Sequence, residues 1–307
     1  MSLTVQAHPA ACRRRYVNLS VGWGAGGGYA DVVSVRVLTQ DDLVELNTLV
    51  DLDPLVNLFV AYRLETTRLQ ARWFGGQMWG YYDHGELVSA CHVAANLVPV
   101  QATADAIDAF AERVADGPRT SSSIVGPADA VRSMWERLQP FWGRARSPRL
   151  NQPFLAIEGP PQVRPDPRVR RVLIDELDLL YPACVAMFTE EVGESPERPG
   201  GHSYRARVAQ LISRGWAFAI IEDDQVLFKA EVGAATAHGC QIQGVYVHPE
   251  RRGEGLGQAG MAAVVEQAQI DIAPVVTLYV NAHNIAALRA YANVGFVQTD
   301  TFASILF

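Results

Sequence analysis

The chain has 307 residues, which at roughly 150 per domain suggests two domains. Hydrophobic residues make up 49% and charged residues 19%, which excludes wholesale disorder. The net charge of −7 argues against a dedicated nucleic-acid binder, which needs a concentrated basic face, but allows a local basic pocket.

Residues 1–30 read as a flexible leader. Gly22, Gly24, Gly26, Gly27 and Gly28 crowd together there, with no P-loop Lys-Ser/Thr, no strand before them and no helix after. The longest apolar runs, such as Trp216 to Ile221, fall far short of the ~20 residues of a membrane span. No secretory signal is visible, so a cytoplasmic protein with no membrane partner is expected. Cys12, Cys91, Cys184 and Cys240 are widely spaced, without C-x-x-C, and read as reduced, buried thiols rather than metal ligands.

Val33, Val35 and Val37 alternate as in a strand. Helices are expected at Gln40 to Leu52 and Pro54 to Ala71. Strands Gln77 to Tyr82 and Glu86 to Ala94 meet at the tight-turn signal Asp83-His84-Gly85. Val98 to Val100 extend the sheet. Thr103 to Ala115 is an amphipathic helix, Thr120 to Val125 a strand, Pro127 to Phe141 a helix, and Phe154 to Ile157 a closing strand. These complete a first unit at 31–157. The proline-rich residues 158–168 form a linker.

The second unit, 169–307, repeats that order. Val169 to Ile174 is a strand; Glu176 to Glu191 and His202 to Ser213 are helices. Gly215 to Glu222 and Gln225 to Ala234 are strands joined at Glu222-Asp223-Asp224. Strand Gln241 to Val247, helix Gly257 to Ile270, strand Val275 to Asn281, helix Asn284 to Asn293 and one or two strands over Phe296 to Phe307 follow. The fold class expected is α/β of the α+β type: a mixed, mostly antiparallel sheet flanked by helices, present in two tandem copies.

The most informative stretch is Val245-Tyr246-Val247-His248-Pro249-Glu250-Arg251-Arg252-Gly253-Glu254-Gly255-Leu256-Gly257-Gln258. A strand enters a glycine-rich turn, and the turn opens a helix. The first helical N–H groups lack intrahelical partners and, with the helix dipole, favour a pyrophosphate. Arg251 and Arg252 add positive donors.

Arg252-x-x-Gly255-x-Gly257 resembles the Q/R-x-x-G-x-G/A signature of the GNAT superfamily of acetyl-CoA-dependent N-acyltransferases. Downstream, Asn284-x-x-Ala287-x-x-x-Tyr291-x-x-x-Gly295-Phe296 is similar to that family's next helix and closing Gly-Phe. The resemblance covers residues 168 to 307 and implies acetyl-CoA, or another acyl-CoA, as co-substrate, with no metal. It implies that the amides of Arg252 to Gln258 meet the pyrophosphate. The pantetheine arm would lie along Val245 to Val247 like an added strand, where neighbouring parallel strands splay. It further implies that Val247 N–H polarises the thioester, Tyr291 is the general acid, and Asn284 caps its helix beside the arm.

The base is less defined by sequence. Gln241 and Gln243 stand where some members carry a glutamate, and Glu231, on an apolar strand, is the best remaining carboxylate. His248, His283 or a water chain are the alternatives. Cys240 precedes the strand and is a poor acyl-enzyme nucleophile, which favours direct attack by the amine. The acceptor is a primary amine on a small molecule or peptide; the acidic chain favours a cationic one by steering. A non-catalytic acyl-CoA sensor is the alternative reading. The first unit, with Val98-Pro99-Val100-Gln101-Ala102-Thr103 at the corresponding place, lacks the phosphate signature and resembles a degenerate copy.

Overall fold

The computed structural model describes residues 33–197 and 202–307; the leader at 1–30 lies outside them. The first half runs β1 (Ser34–Val37), α1 (Leu43–Val50), α2 (Leu58–Thr67), α3 (Ala71–Phe74), β2 (Gln77–Asp83), β3 (Glu86–Val93) and β4 (Asn96–Val100). It continues with α4 (Ala104–Ala115), β5 (Ser123–Pro127), α5 (Ala128–Trp142) and β6 (Ser147–Ile157). The second half runs β7 (Arg170–Arg171), α6 (Leu177–Val192), α7 (His202–Ser213), β8 (Ala217–Glu222), β9 (Gln225–Ala235) and β10 (Cys240–Val247). It ends with α8 (Leu256–Asp271), β11 (Val276–Tyr279), α9 (Ile285–Val294) and β12 (Val297–Leu306).

Local chemistry explains most of these elements. In the β2–β3 turn His84 and Gly85 have φ of 48° and 85°, and in the β8–β9 turn Asp223 and Asp224 have 48° and 58°. Both are the twist-matched hairpin geometry, which needs positive φ at two positions. The expected helix at Pro54 to Ala71 is cut at Thr67, because Arg68 and Leu69 turn left-handed with φ of 48° and 54°. The expected strand Val169 to Ile174 shrinks to Arg170–Arg171, since Glu176 Oε2 accepts from Leu173 N at 2.8 Å and turns the chain.

The twelve strands among the described residues join one sheet, ordered β1-β2-β3-β4-β5-β12-β6-β11-β10-β9-β8-β7. The two halves interleave their last strands. The expected closing strand at Phe154 to Ile157 is the end of the eleven-residue β6, whose neighbours are β11 (Leu155 opposite Leu278) and β12. Strand β12 in turn pairs with β5, Ile305 opposite Ile124. Ala303 and Ile305 of β12 are fully buried in the first-half core with Phe110, Trp79 and Trp135. The boundary at residue 157 therefore divides the chain but not the sheet. Residues 158–168 lie along the second half, with Gln162 N bonded to Val294 O at 2.8 Å and Asp166 N to Ala259 O at 3.0 Å.

The sheet brings α2 against the second half. The rings of Tyr62 and Trp216 stand 5.6 Å apart, and Arg214 donates to the Tyr62 hydroxyl. The first half thereby walls one side of a cleft whose other side is β10, α8 and α9.

Candidate active-site cleft

Strands β10 and β11 run parallel and pair only at Cys240–Val276 and Gln241–Thr277. Beyond that point they part, because β10 carries a bulge: its register against β9 shifts between Gln243 and Tyr246, with Gly244 at φ +61°. The gap is the head of a cleft of about 1770 Å³, lined by Val245, Tyr246 and Val247 among others. His248 N donates to Leu227 O on β9 at 2.9 Å. Consecutive strand amides face opposite edges, so Val247 N faces the edge from which β11 has withdrawn.

A short 3-10 turn at Pro249–Arg251 follows, and then Gly253 and Gly255 at φ +84° and +82°. Gly255 caps α8 without a side-chain bond, which leaves the amides of Leu256, Gly257 and Gln258 without intrahelical partners. A Cβ at position 253 would meet nothing within 4 Å, and the residue at 257 lies against Val247. Bare amides, left-handed glycines and the adjoining splayed strands fit the pyrophosphate and arm of an acyl-CoA.

The two arginines are not the free donors expected. Arg252 forks the Glu190 carboxylate of α6 at 3.0 and 2.7 Å, and its Nε bonds Val247 O at 3.1 Å. Arg251 Nε bonds Glu254 at 2.8 Å. Each has a carboxylate on its own surface to satisfy it. Gln258 Oε1 accepts from Asn293 at 3.0 Å, tying α8 to α9.

Tyr291 and Asn284 come from α9. Asn284 Oδ1 accepts from Ala287 N at 3.1 Å, a true N-cap. Tyr291 is buried at the cleft wall, edge-on to Phe296 at 5.9 Å, and burial, with the Glu191 charge, raises its pKa well above the ordinary phenol value. It stays protonated at neutral pH.

Glu231 also lines the cleft, but the apolar surrounding expected for it is corrected. Lys229 Nζ stands 3.2 Å from Oε2, and Gln243 Nε2 donates to Oε1 at 3.2 Å. Gly233 leaves room for the Gln243 side chain, and Gly244 for both ends of the Lys229–Glu231 pair. Residues two apart on a strand share a face, so Lys229-x-Glu231 in an apolar run was a legible signal of this buried pair. Cys240 is buried and its thiol pushed up to about 12, which leaves it inert as a nucleophile at neutral pH.

In the first half β4 and β5 also pair in parallel at only two positions, Asn96–Ser123 and Leu97–Ile124. No phosphate seat follows. Thr103 Oγ1 accepts from Ala106 N at 3.2 Å, and Ser89 Oγ accepts from Thr103 N at 3.2 Å, so protein side chains occupy the start of α4. Trp79 and Trp135 are core residues, whereas Trp73 is exposed on the cleft wall. Arg63, His92 and Glu190 also line the cleft, and no sequence motif marks them.

Residues 200–296 match the model of the acetyltransferase (GNAT) family, and residues 76–180 match a domain of unknown function, DUF4081. The chain resembles an acetyltransferase from the GNAT family of Colwellia psychrerythraea, at 14% identity and TM-score 0.55, covering 89% of this chain and 99% of that one. A GCN5-related N-acetyltransferase from Sphaerobacter thermophilus is similar at 14% identity and TM-score 0.56, over 89% and 94% of the two chains. So is a tandem GNAT protein from the clavulanic acid biosynthesis pathway, at 14% and 0.50, over 89% and 98%. No curated protein matches the sequence.

Proposed function

We propose that this protein, an acyltransferase whose second half is a GNAT acetyltransferase domain, transfers an acetyl group from acetyl-CoA to the nitrogen of a primary amine by direct attack. The carrying observation is the β10–β11 splay leading into an uncapped, glycine-rich helix start. Acetyl-CoA bound there supplies an activated acyl carbon and a thiolate leaving group.

The chain's own groups supply the rest. The amides of Arg252 to Gln258 hold the pyrophosphate, and Val245 to Val247 align the arm, with Asn284 at its flank. Val247 N–H stabilises the developing oxyanion. Tyr291 donates its phenolic proton to the leaving sulfur. Glu231 receives the amine proton on a lone pair that its bonds to Lys229 and Gln243 leave free. The buried Cys240 argues against a covalent acyl-enzyme.

The test is thiol release from acetyl-CoA across a library of amines, with calorimetry of acetyl-CoA binding alongside. Binding with amine-dependent thiol release is expected. No heat on titrating acetyl-CoA would overturn the reading.

A further inference from the structure

The charge lining the cleft is not that of the whole chain. Its carboxylates Glu190, Glu191 and Glu231 each have a cation: Arg252, Arg149 at 3.2 Å, and Lys229. Arg63, Arg207, Arg214 and Arg289 line the cleft with no carboxylate ion pair among the described residues, and Arg214 is already bonded to the Tyr62 hydroxyl. Arg63, on α2, donates to the carbonyl oxygens of Trp73 (2.9 Å) and Phe74. Arg207, on α7 of the other half, lines the same cleft, and burial, with the Arg207 charge, lowers the pKa of Arg63. Two like charges facing one space without a counter-charge are stabilised by an anion entering it.

His92, on β3, is a second and independent observation. It is 4% exposed and lies edge-on to Phe59 and Phe74 at 5.5 and 5.0 Å. Its Nδ1 is 3.2 Å from Asn96 O, a group that only accepts, so Nδ1 carries the proton. Nε2 is then a lone-pair acceptor; it is buried, has no partner among the described residues, and belongs to a residue lining the cleft. An orphaned buried acceptor is costly unless a donor arrives.

We propose that the first half is the acceptor-binding wall, and that the acceptor is an amine that also carries a carboxylate. Arg63 and Arg207 take the carboxylate, and His92 Nε2 accepts a hydrogen bond from an N–H or O–H of the same molecule. Two guanidiniums, one already committed in part to carbonyls, suit a planar, singly charged group better than a phosphate dianion, which is costlier to strip of water. This deepens the acetyl-transfer reading and rests on it. It also reverses the steering expectation of a cationic acceptor, because the local charge of the wall outweighs a distant net charge of −7.

The experiment uses the full chain, with and without saturating CoA. Product-shaped probes, N-acetylglycine and N-acetylphenylalanine, are titrated by calorimetry against their carboxamides. At least one acid is expected to bind about tenfold or more tighter than its amide, as for hydrogen bonds to a charged group. Arg63→Gln and Arg207→Gln should each abolish that preference. Arg63 bridges to the α3 carbonyls, so the exposed Arg207 is the variant that keeps the fold beyond question. Acids that bind no better than amides, or a preference that survives in both variants, would overturn the proposal. Absent acetyl-CoA heats would instead overturn the acyl-CoA reading, while the comparison made without CoA still decides the anion site.

Discussion

Lys229 and Glu231 form a buried ion pair on one face of β9, 3.2 Å apart, under the Gly244 bulge at the head of the cleft. Burial pulls the Lys229 pKa down, but Glu231 and Cys184 outweigh it and leave it raised. The strand bulge and the pair depend on each other: a Cβ at Gly244 would come within 2.9 Å of Glu231 Oε1.

Lys229→Met should therefore destabilise the fold by about 3–5 kcal/mol, by leaving the Glu231 charge buried and unpaired. The double variant Lys229→Met, Glu231→Leu should recover much of that loss, since it removes both charges. Denaturant midpoints of the two variants give the answer. Equal losses in both would show that the charges are not coupled.

His92 sets a pH dependence of stability. Burial lowers its pKa from 6.5 to about 4. The unfolded chain binds a proton below about 6.5 that the folded protein refuses until about 4, so this contribution is full above pH 7 and is lost as pH falls between those values. At about 1.4 kcal/mol per unit, the loss reaches roughly 3 kcal/mol at pH 4. Denaturation midpoints from pH 7.5 to 4.5 should fall less steeply in His92→Gln than in the wild type.

Tyr291→Phe keeps the ring against Phe296 and removes the proton donor. The turnover number should drop by about 10²–10⁴, with acetyl-CoA heats retained. Because burial raises the Tyr291 pKa, the wild type should show no alkaline loss of activity from this group up to pH 10. Full turnover in the phenylalanine variant would remove Tyr291 from the acid role.

Arg252 is held by Glu190 in an exposed pair, an interaction worth about 1 kcal/mol or less. Glu190→Gln should free the guanidinium and tighten acetyl-CoA binding by up to about fivefold at low salt, with the gain fading as salt rises. Arg252→Glu should weaken binding. Calorimetry at two salt concentrations measures both; unchanged affinity in Glu190→Gln would show that Arg252 does not meet the phosphates.

What the sequence determined by itself is local. The hairpin at Asp83-His84-Gly85, the cap at Asn284 and the glycine turn before α8 were legible because each is set by residues within a few positions of one another. The α7 helix matched His202 to Ser213 for the same reason. Tertiary structure alone decided the rest. Ile305 meets Ile124, and Arg63 shares a cleft with Arg207, because the last strands of the two halves interleave and carry α2 against the second half; Arg252 meets Glu190 because α6 packs on β10. Such contacts join residues far apart in the chain, and no local period or spacing records which of them will meet. The sequence thus marked the glycine-rich turn that we assign to the phosphates of the co-substrate, while the folded sheet supplied the wall that faces it.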